Sequence, residues 1–215
     1  MKRIFGAFFI ITIVILTSCD KEENESPIDI TLLSSDGKDA IVSSTDPTGE
    51  YDRGTNRRDI VISEWTINGI PTTSYGLLDF DFSAIPEGAK ITEAKLSLYH
   101  DPNSPEGGHS QLSGSNAAYI QRITSNWIES VSWNDQPLST EVHQVSIAAS
   151  ESEIQDYIDI DVTELTQDII NNRANSFGFM IKLISTQYYR KLVFASGENP
   201  DSNLYPKLEI QYSNY

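Results

Sequence analysis

Apolar and polar residues alternate along most of the chain, and the pattern changes to a helical spacing once. The clearest stretch is Tyr75–His100, YGLLDFDFSAIPEGAKITEAKLSLYH. Leu78, Phe80 and Phe82 alternate with Leu77, Asp79 and Asp81; further on, Ala94, Leu96 and Leu98 alternate with Lys95, Ser97 and Tyr99. A period of two puts one face of each strand on a core and the other toward water. Between the two runs, Pro86 presets its φ and Gly88 can take a positive φ, as a turn requires. The segment reads as strand, turn, strand, and as the centre of a β-sandwich.

The flanking sequence extends this pattern. Ile28–Leu33 and Asp39–Ser43 are predicted strands around a turn at Ser34–Lys38. Thr45–Asn56, with Asp46-Pro47, Gly49 and Gly54, reads as a surface loop. Arg58–Ile67 is a strand that ends at Asn68-Gly69, a pair favouring a two-residue type I′ hairpin. Pro71 beyond it marks an edge strand or a frayed hairpin end. Asp101–Asn116 holds two Pro, three Gly and four Ser and reads as a long irregular insertion. Ala118–Ile123, Val142–Ile147, Ile154–Val162, Phe177–Ile184, Arg190–Ser196 and Lys207–Tyr212 are further strands, with Ile158, Ile160 and Val162 expected on one face. In Thr163–Arg173 the apolar spacing becomes helical through Val162, Leu165 and Ile169, with Asp161 or Thr163 as the cap and Asn171-Asn172 as the stop. About ten short strands and one helix predict an all-β fold, a jelly-roll β-sandwich of two antiparallel sheets with one short helix.

The N-terminus carries a different signal. Met1-Lys2-Arg3 precedes Ile4–Leu16, which is apolar apart from Gly6 and Thr12. As a helix it would span ~20 Å against a hydrocarbon core of ~30 Å, so it reads as the apolar region of a signal peptide. Leu16-Thr17-Ser18-Cys19 resembles the bacterial lipobox, and Cys19 is the only cysteine, so no intrachain disulfide forms. The resemblance implies a signal peptide over 1–18, an acylated Cys19 opening a tether over 19–27, and one domain over 28–215. Acyl chains would be the chain's only hold on a membrane. Asp20–Glu25 is a solvated tether by composition. It is also similar to the acidic export signal of surface-exposed lipoproteins of Bacteroidetes, which implies an outer-membrane anchor facing the exterior.

Charge narrows the partners. The chain has 15 Lys and Arg against 31 Asp and Glu, a net charge of −16, and −18 once Lys2 and Arg3 are removed. Nucleic acid and anionic membrane surfaces need basic patches, so neither is expected as a partner. An acidic surface suits solubility, cation binding or neutral ligands.

Candidate chemistry is sparse. His100, His109 and His143 lack metal-ligand spacing, and no Gly-x-Ser-x-Gly elbow occurs. Asp79/Asp81 and Asp159/Asp161 are neighbours on single strand faces, whereas glycosidase carboxyls face each other across a cleft at ~5 Å or ~6.5–9.5 Å. The chain is therefore expected not to be an enzyme. Carboxylates and carbonyls are calcium ligands, so Asp36, Asp39 and Asp161 are candidates for a structural calcium, with a solvated acidic face as the alternative. Trp65, Tyr188, Tyr189 and Arg190 are the carbohydrate-binding candidates: aromatic faces stack on sugar rings, and Arg190 or Lys191 can pair with a uronate carboxylate. Adjacent tyrosines on a strand point to opposite faces, so one of the two is expected to be exposed. Trp127 and Trp133 read as framework more readily than as platforms.

The motifs in order resemble the DNRLRE-type domain, related to carbohydrate-binding module family 96. They are Asp39-Ala40-Ile41-Val42, Leu77–Pro86, Ala94–Tyr99, Trp127–Pro137, Ile160–Leu165, Phe177-Gly178-Phe179 and Pro206–Tyr212, together spanning nearly all of residues 36 to 213. The resemblance implies a jelly-roll sandwich on secreted or surface proteins, with acidic or neutral polysaccharide as the ligand. A structural or adhesive lipoprotein that contacts other envelope proteins is the alternative.

Overall fold

The computed structural model describes residues 26–48 and 57–214. The expected leader, Cys19, the acidic run after it and residues 49–56 of the expected loop lie outside the described residues. Among those described, the strands are β1 (Ile28–Leu33), β2 (Lys38–Ser43), β3 (Asp59–Ile67), β4 (Ile70–Asp79), β5 (Lys90–Leu98), β6 (Ser110–Gln111), β7 (Ala118–Ile123), β8 (Ser139–Ile147), β9 (Tyr157–Asp161), β10 (Phe179–Leu183), β11 (Arg190–Ala195) and β12 (Lys207–Ser213). One helix, α1 (Thr163–Asn171), lies between β9 and β10. Two sheets form, one in the order β1-β12-β5-β9 and the other β6-β11-β3-β4-β10-β7-β8, with β2 joined to β4. All their pairings are antiparallel, and the result is the expected β-sandwich.

The core lies between the sheets. Ile91, Leu96, Leu98, Leu208 and Ile210 of the smaller sheet meet Leu78, Ile120, Phe179, Ile181, Leu192 and Phe194 of the larger. α1 adds Leu165 and Ile169, as its spacing predicts, together with Ile170, and packs on β5, β7 and β8; the third expected position, Val162, is buried in the same core but stands at the N-cap, in place of Asp161 or Thr163. The two strands of Tyr75–His100 are not partners: β4 is in the larger sheet and β5 in the smaller, joined by a short 3-10 turn at Phe82–Ala84. Phe80 and Phe82 still reach the core beyond the end of β4, and the Phe80 ring lies 6.2 Å from that of Phe179.

β4 is buried on both faces. Leu78 points into the main core, while Leu77 joins Ala40, Val42, Ile123, Trp127 and Met180 in a second cluster on the outer face. The Asn126–Pro137 segment covers that cluster with Trp127, Val131 and Trp133. The hairpin between β3 and β4 has the expected type I′ signature, with φ of 52° at Asn68 and 79° at Gly69. β9 departs from expectation. It starts at Tyr157, Asp159 takes a φ of 56°, and the pairing with β5 shifts register between Leu96 and Leu98. The alternation is therefore interrupted: Ile158 is 52% exposed while Val162 is buried, so the two do not share a face.

Candidate functional site

β4 has three partners: β3 along residues 70–74, β10 along 76–78 and β2 along 74–79, and Ser74 stands opposite both Ser63 and Ser43. Beyond that point β3 leaves β4 and continues beside β11. Gly76 permits this, because a Cβ there would lie 2.6 Å from Ile60 Cγ2. Around Ser74, where β2, β4 and β3 lie together, a cleft of about 210 Å³ opens. Ile41, Val61 and Ile67 give it apolar surface, and Trp65 gives it an aromatic ring. Ser43, Ser63, Thr72 and Ser74 supply hydroxyls, with Ser74 Oγ donating to Ser43 Oγ at 3.2 Å. Lys191, Glu106 and Arg57 are its charged members.

Of the sequence candidates Trp65 lines this cleft, and Tyr189 and Arg190 lie behind it. Trp65 and Tyr189 meet edge to face, with ring centroids 5.3 Å apart and planes at 89°. Tyr188 and Tyr189 are both 41% exposed, because β11 begins only at Arg190 and the pair lies in the turn before it, where strand alternation does not apply. Arg190 is buried, and its guanidinium donates to the carbonyls of Gln187, at 2.7 Å, and Ser113. The cation that faces the cleft is its neighbour. Lys191 stands opposite Ser63, its Nζ lies 5.7 Å from the Trp65 ring centroid, and it donates to the carbonyl of Glu106. Burial pushes the Lys191 pKa down, while the carboxylates of Glu106 and Glu153 work against that shift. An aromatic ring, hydroxyls and a held ammonium around one hollow suit a polyhydroxylated ligand. By contrast, the hollow on the outer face of the smaller sheet is lined by Asp29, Glu93, Lys95, Asp159 and Glu209, with no aromatic ring.

Lys191 was legible only as a neighbour of Arg190; alternation along β11 separates the two, and the sequence alone does not say which faces out. Ser43, Ser74 and Glu106 carried no signal, because the cleft exists only where β2, β4 and β3 are brought together at Ser74.

The other candidates lie elsewhere. Trp127 is 4% exposed and donates from Nε1 to the Phe177 carbonyl at 2.8 Å, and Trp133 packs on Tyr75 with centroids 5.2 Å apart. Asp36 is exposed in a 3-10 turn between β1 and β2. Asp39 is 3% exposed and accepts from Gly197 N at 2.6 Å. Burial and the neighbouring Glu198 carboxylate push its pKa up to about 8. Asp161 accepts from the N and Oγ1 of Thr163, at 3.0 and 2.6 Å, at the start of α1. Among the described residues no three Asp, Glu, His or Cys side chains gather as a metal site, so these three aspartates do not share one.

The profile of carbohydrate-binding module family 96 matches residues 31–212, which include the cleft and both sheets. The chain belongs to that family. No curated protein matches the chain. Family membership makes this sandwich a carbohydrate-binding module, and the cleft beside Trp65 is its candidate ligand site.

Proposed function

We propose that this family 96 module binds polysaccharide without cleaving it, at the cleft between β2 and β3, and that an acylated Cys19 displays it on the exterior of the outer membrane. The observation that carries the reading is the convergence of the Trp65 ring, the Ser43–Ser74 hydroxyls and the Lys191 ammonium on one hollow of a family 96 sandwich. Apolar C–H faces of a pyranose stack on an aromatic ring, and its hydroxyls exchange with serine hydroxyls at the floor. Lys191 adds a charge-assisted donor for a hydroxyl or a carboxylate.

Affinity electrophoresis tests the reading. Full chain in detergent is run through gels holding neutral or uronate polysaccharides, with calcium and with chelator. Retardation by a polymer, lost in Trp65→Ala and kept in Trp127→Phe, is the expected result. A chain that no polymer retards, or one whose retardation survives Trp65→Ala, overturns the site. Release of sugar from the retained polymer overturns the non-catalytic part.

A further inference from the structure

Tyr189 has a φ of 68°, in the left-handed region that bulky residues avoid. Such a conformation persists only where the surrounding structure over-determines it. The constraint here comes from the next residue. Arg190 Nη1 donates to the Gln187 carbonyl at 2.7 Å and to the Tyr188 carbonyl at 3.5 Å. Its Nη2 donates to the Gln187 side-chain oxygen at 3.0 Å and to the Ser113 carbonyl. The Ser113 hydroxyl in turn donates to the Tyr188 carbonyl. The guanidinium of Arg190, a residue only 5% exposed, therefore ties the turn before β11 to itself and to the insertion loop. Gly114 makes room for it: a Cβ there would lie 2.6 Å from Arg190 Nη2.

We propose that Arg190 is a positioning residue for ligand binding: its fork fixes the 187–189 turn and holds the Tyr189 ring against Trp65, so that Trp65, the aromatic wall of the cleft, is set in place before a sugar arrives. This rests on the reading of the cleft as the polysaccharide site. The two adjacent cations then do different work. Lys191 faces the ligand, and Arg190, on the other face of β11, holds the wall. A lysine cannot replace the fork, because an ammonium is a point charge and cannot span carbonyls of two loops in fixed directions. Preorganising a wall raises affinity by sparing the ordering cost on binding.

The test uses full chain in detergent, with the three tryptophan indole N–H signals read by NMR and assigned by single Trp→Phe variants. In Arg190→Lys, which keeps the charge, the Trp65 signal is expected to move as it does in Tyr189→Leu, while the Trp127 and Trp133 signals stay. Affinity for the retained polymer should fall about tenfold, the scale of one well-placed aromatic contact. The double variant should lose no more than Tyr189→Leu alone. An unmoved Trp65 signal in Arg190→Lys, or losses that add, overturns the proposal. If Arg190→Lys fails to fold, so that all three signals collapse, Gly114→Ala crowds the same guanidinium without removing it and must move the Trp65 signal; a still signal overturns the clamp. A wild-type chain that binds no polymer overturns the cleft as a sugar site and the ligand half of this proposal, and the indole shift then decides the clamp by itself.

Discussion

Trp127 Nε1 donates to the carbonyl of Phe177 at 2.8 Å, and this bond fastens the Asn126–Pro137 segment to the outer face of the larger sheet. Lys38 Nζ adds to it, 4.5 Å from the indole centroid and 2.8 Å from the Trp127 carbonyl. Trp127 thus serves stability and not recognition. Trp127→Ala should cost about 3–5 kcal/mol, the range for emptying a buried aromatic site. Trp127→Phe keeps most of the volume but leaves the Phe177 carbonyl without its donor, which should cost about 1–3 kcal/mol. Urea unfolding measures both. A Phe variant as stable as wild type would show that the bond is not what holds the segment.

The same segment shows what the sequence could and could not say. The order of strands, the type I′ turn at Asn68-Gly69 and the stripe of α1 were legible because they rest on local geometry and on which face is buried. Sheet membership was not. Alternation in Leu77–Phe82 and Ala94–Leu98 says that each strand has an inner face, and it is silent on the partner, so β4 and β5 read as one unit although they belong to opposite sheets. Leu77 and Leu78 are both fully buried, because β4 is covered on two sides, a fact that depends on Trp127 nearly fifty residues away. The cleft was still less accessible. It depends on β3 and β2 sharing β4 at Ser74, and no pattern of residue types announces a shared strand.

Asp39 should make the protein less stable as pH rises. Its carboxyl is buried on β2 beside Glu198, and its pKa rises from an ordinary 3.8 to about 8. The folded state holds the proton more tightly than the unfolded chain does. The stabilising contribution is therefore fully present below about pH 4, declines as pH rises toward 8, and is lost above it. Asp39→Asn imitates the protonated acid. It should remove this slope and leave the variant the more stable of the two above pH 8, on the order of a few kcal/mol. Urea titrations between pH 5 and pH 9 decide the matter, and parallel curves for the two proteins would refute it.

His109 acts in the opposite direction. It is 2% exposed, its Nδ1 accepts from the backbone N of Val193 at 3.0 Å, and Nε2 therefore carries the proton donated to the Gln155 carbonyl at 2.8 Å. Both nitrogens are committed, and a second proton would set N–H against N–H. Burial lowers the pKa, and the neighbouring His100 lowers it further, although the Gln155 carbonyl and Asp156 favour the charged form. A depressed folded pKa gives stability that is present above the ordinary 6.5 and lost as pH falls. Imidazole nitrogen NMR through a pH titration should find Nδ1 gaining its proton at a lower pH than a free histidine does. A ring that charges at or above the free-histidine midpoint, with the fold intact, would refute the assignment.

Asp161 is exposed, and its carboxylate takes the N–H and the hydroxyl of Thr163 where α1 begins, which pulls its pKa down. Asp161→Ala should cost about 1 kcal/mol, the usual net worth of a hydrogen bond, and Asp161→Asn, which keeps an acceptor, should cost less. The two bonds to Thr163 account for this aspartate without a metal, so the loss should be the same with calcium and with chelator. A loss that appears only when calcium is present would restore Asp161 as a ligand.

Trp65 separates recognition from stability in the reverse sense to Trp127. It is partly exposed, its contacts are the Tyr189 edge and the Lys191 ammonium, and its ring borders the cleft. Trp65→Ala removes one edge-to-face pair, worth about 0.5–1.5 kcal/mol beyond area burial, and opens no closed cavity. The variant should therefore unfold within about 2 kcal/mol of wild type while losing at least about tenfold in polysaccharide affinity. Lys191→Met keeps the apolar stem beside Trp65 and deletes the charge. It should weaken retention by uronate polymers and, through the lost salt-sensitive attraction, flatten the dependence of that retention on ionic strength, while neutral polymers change little. Gels run at two salt concentrations read all of these at once. Equal losses on neutral and uronate polymers would mean that Lys191 supports the wall of the cleft and does not read the charge of the ligand.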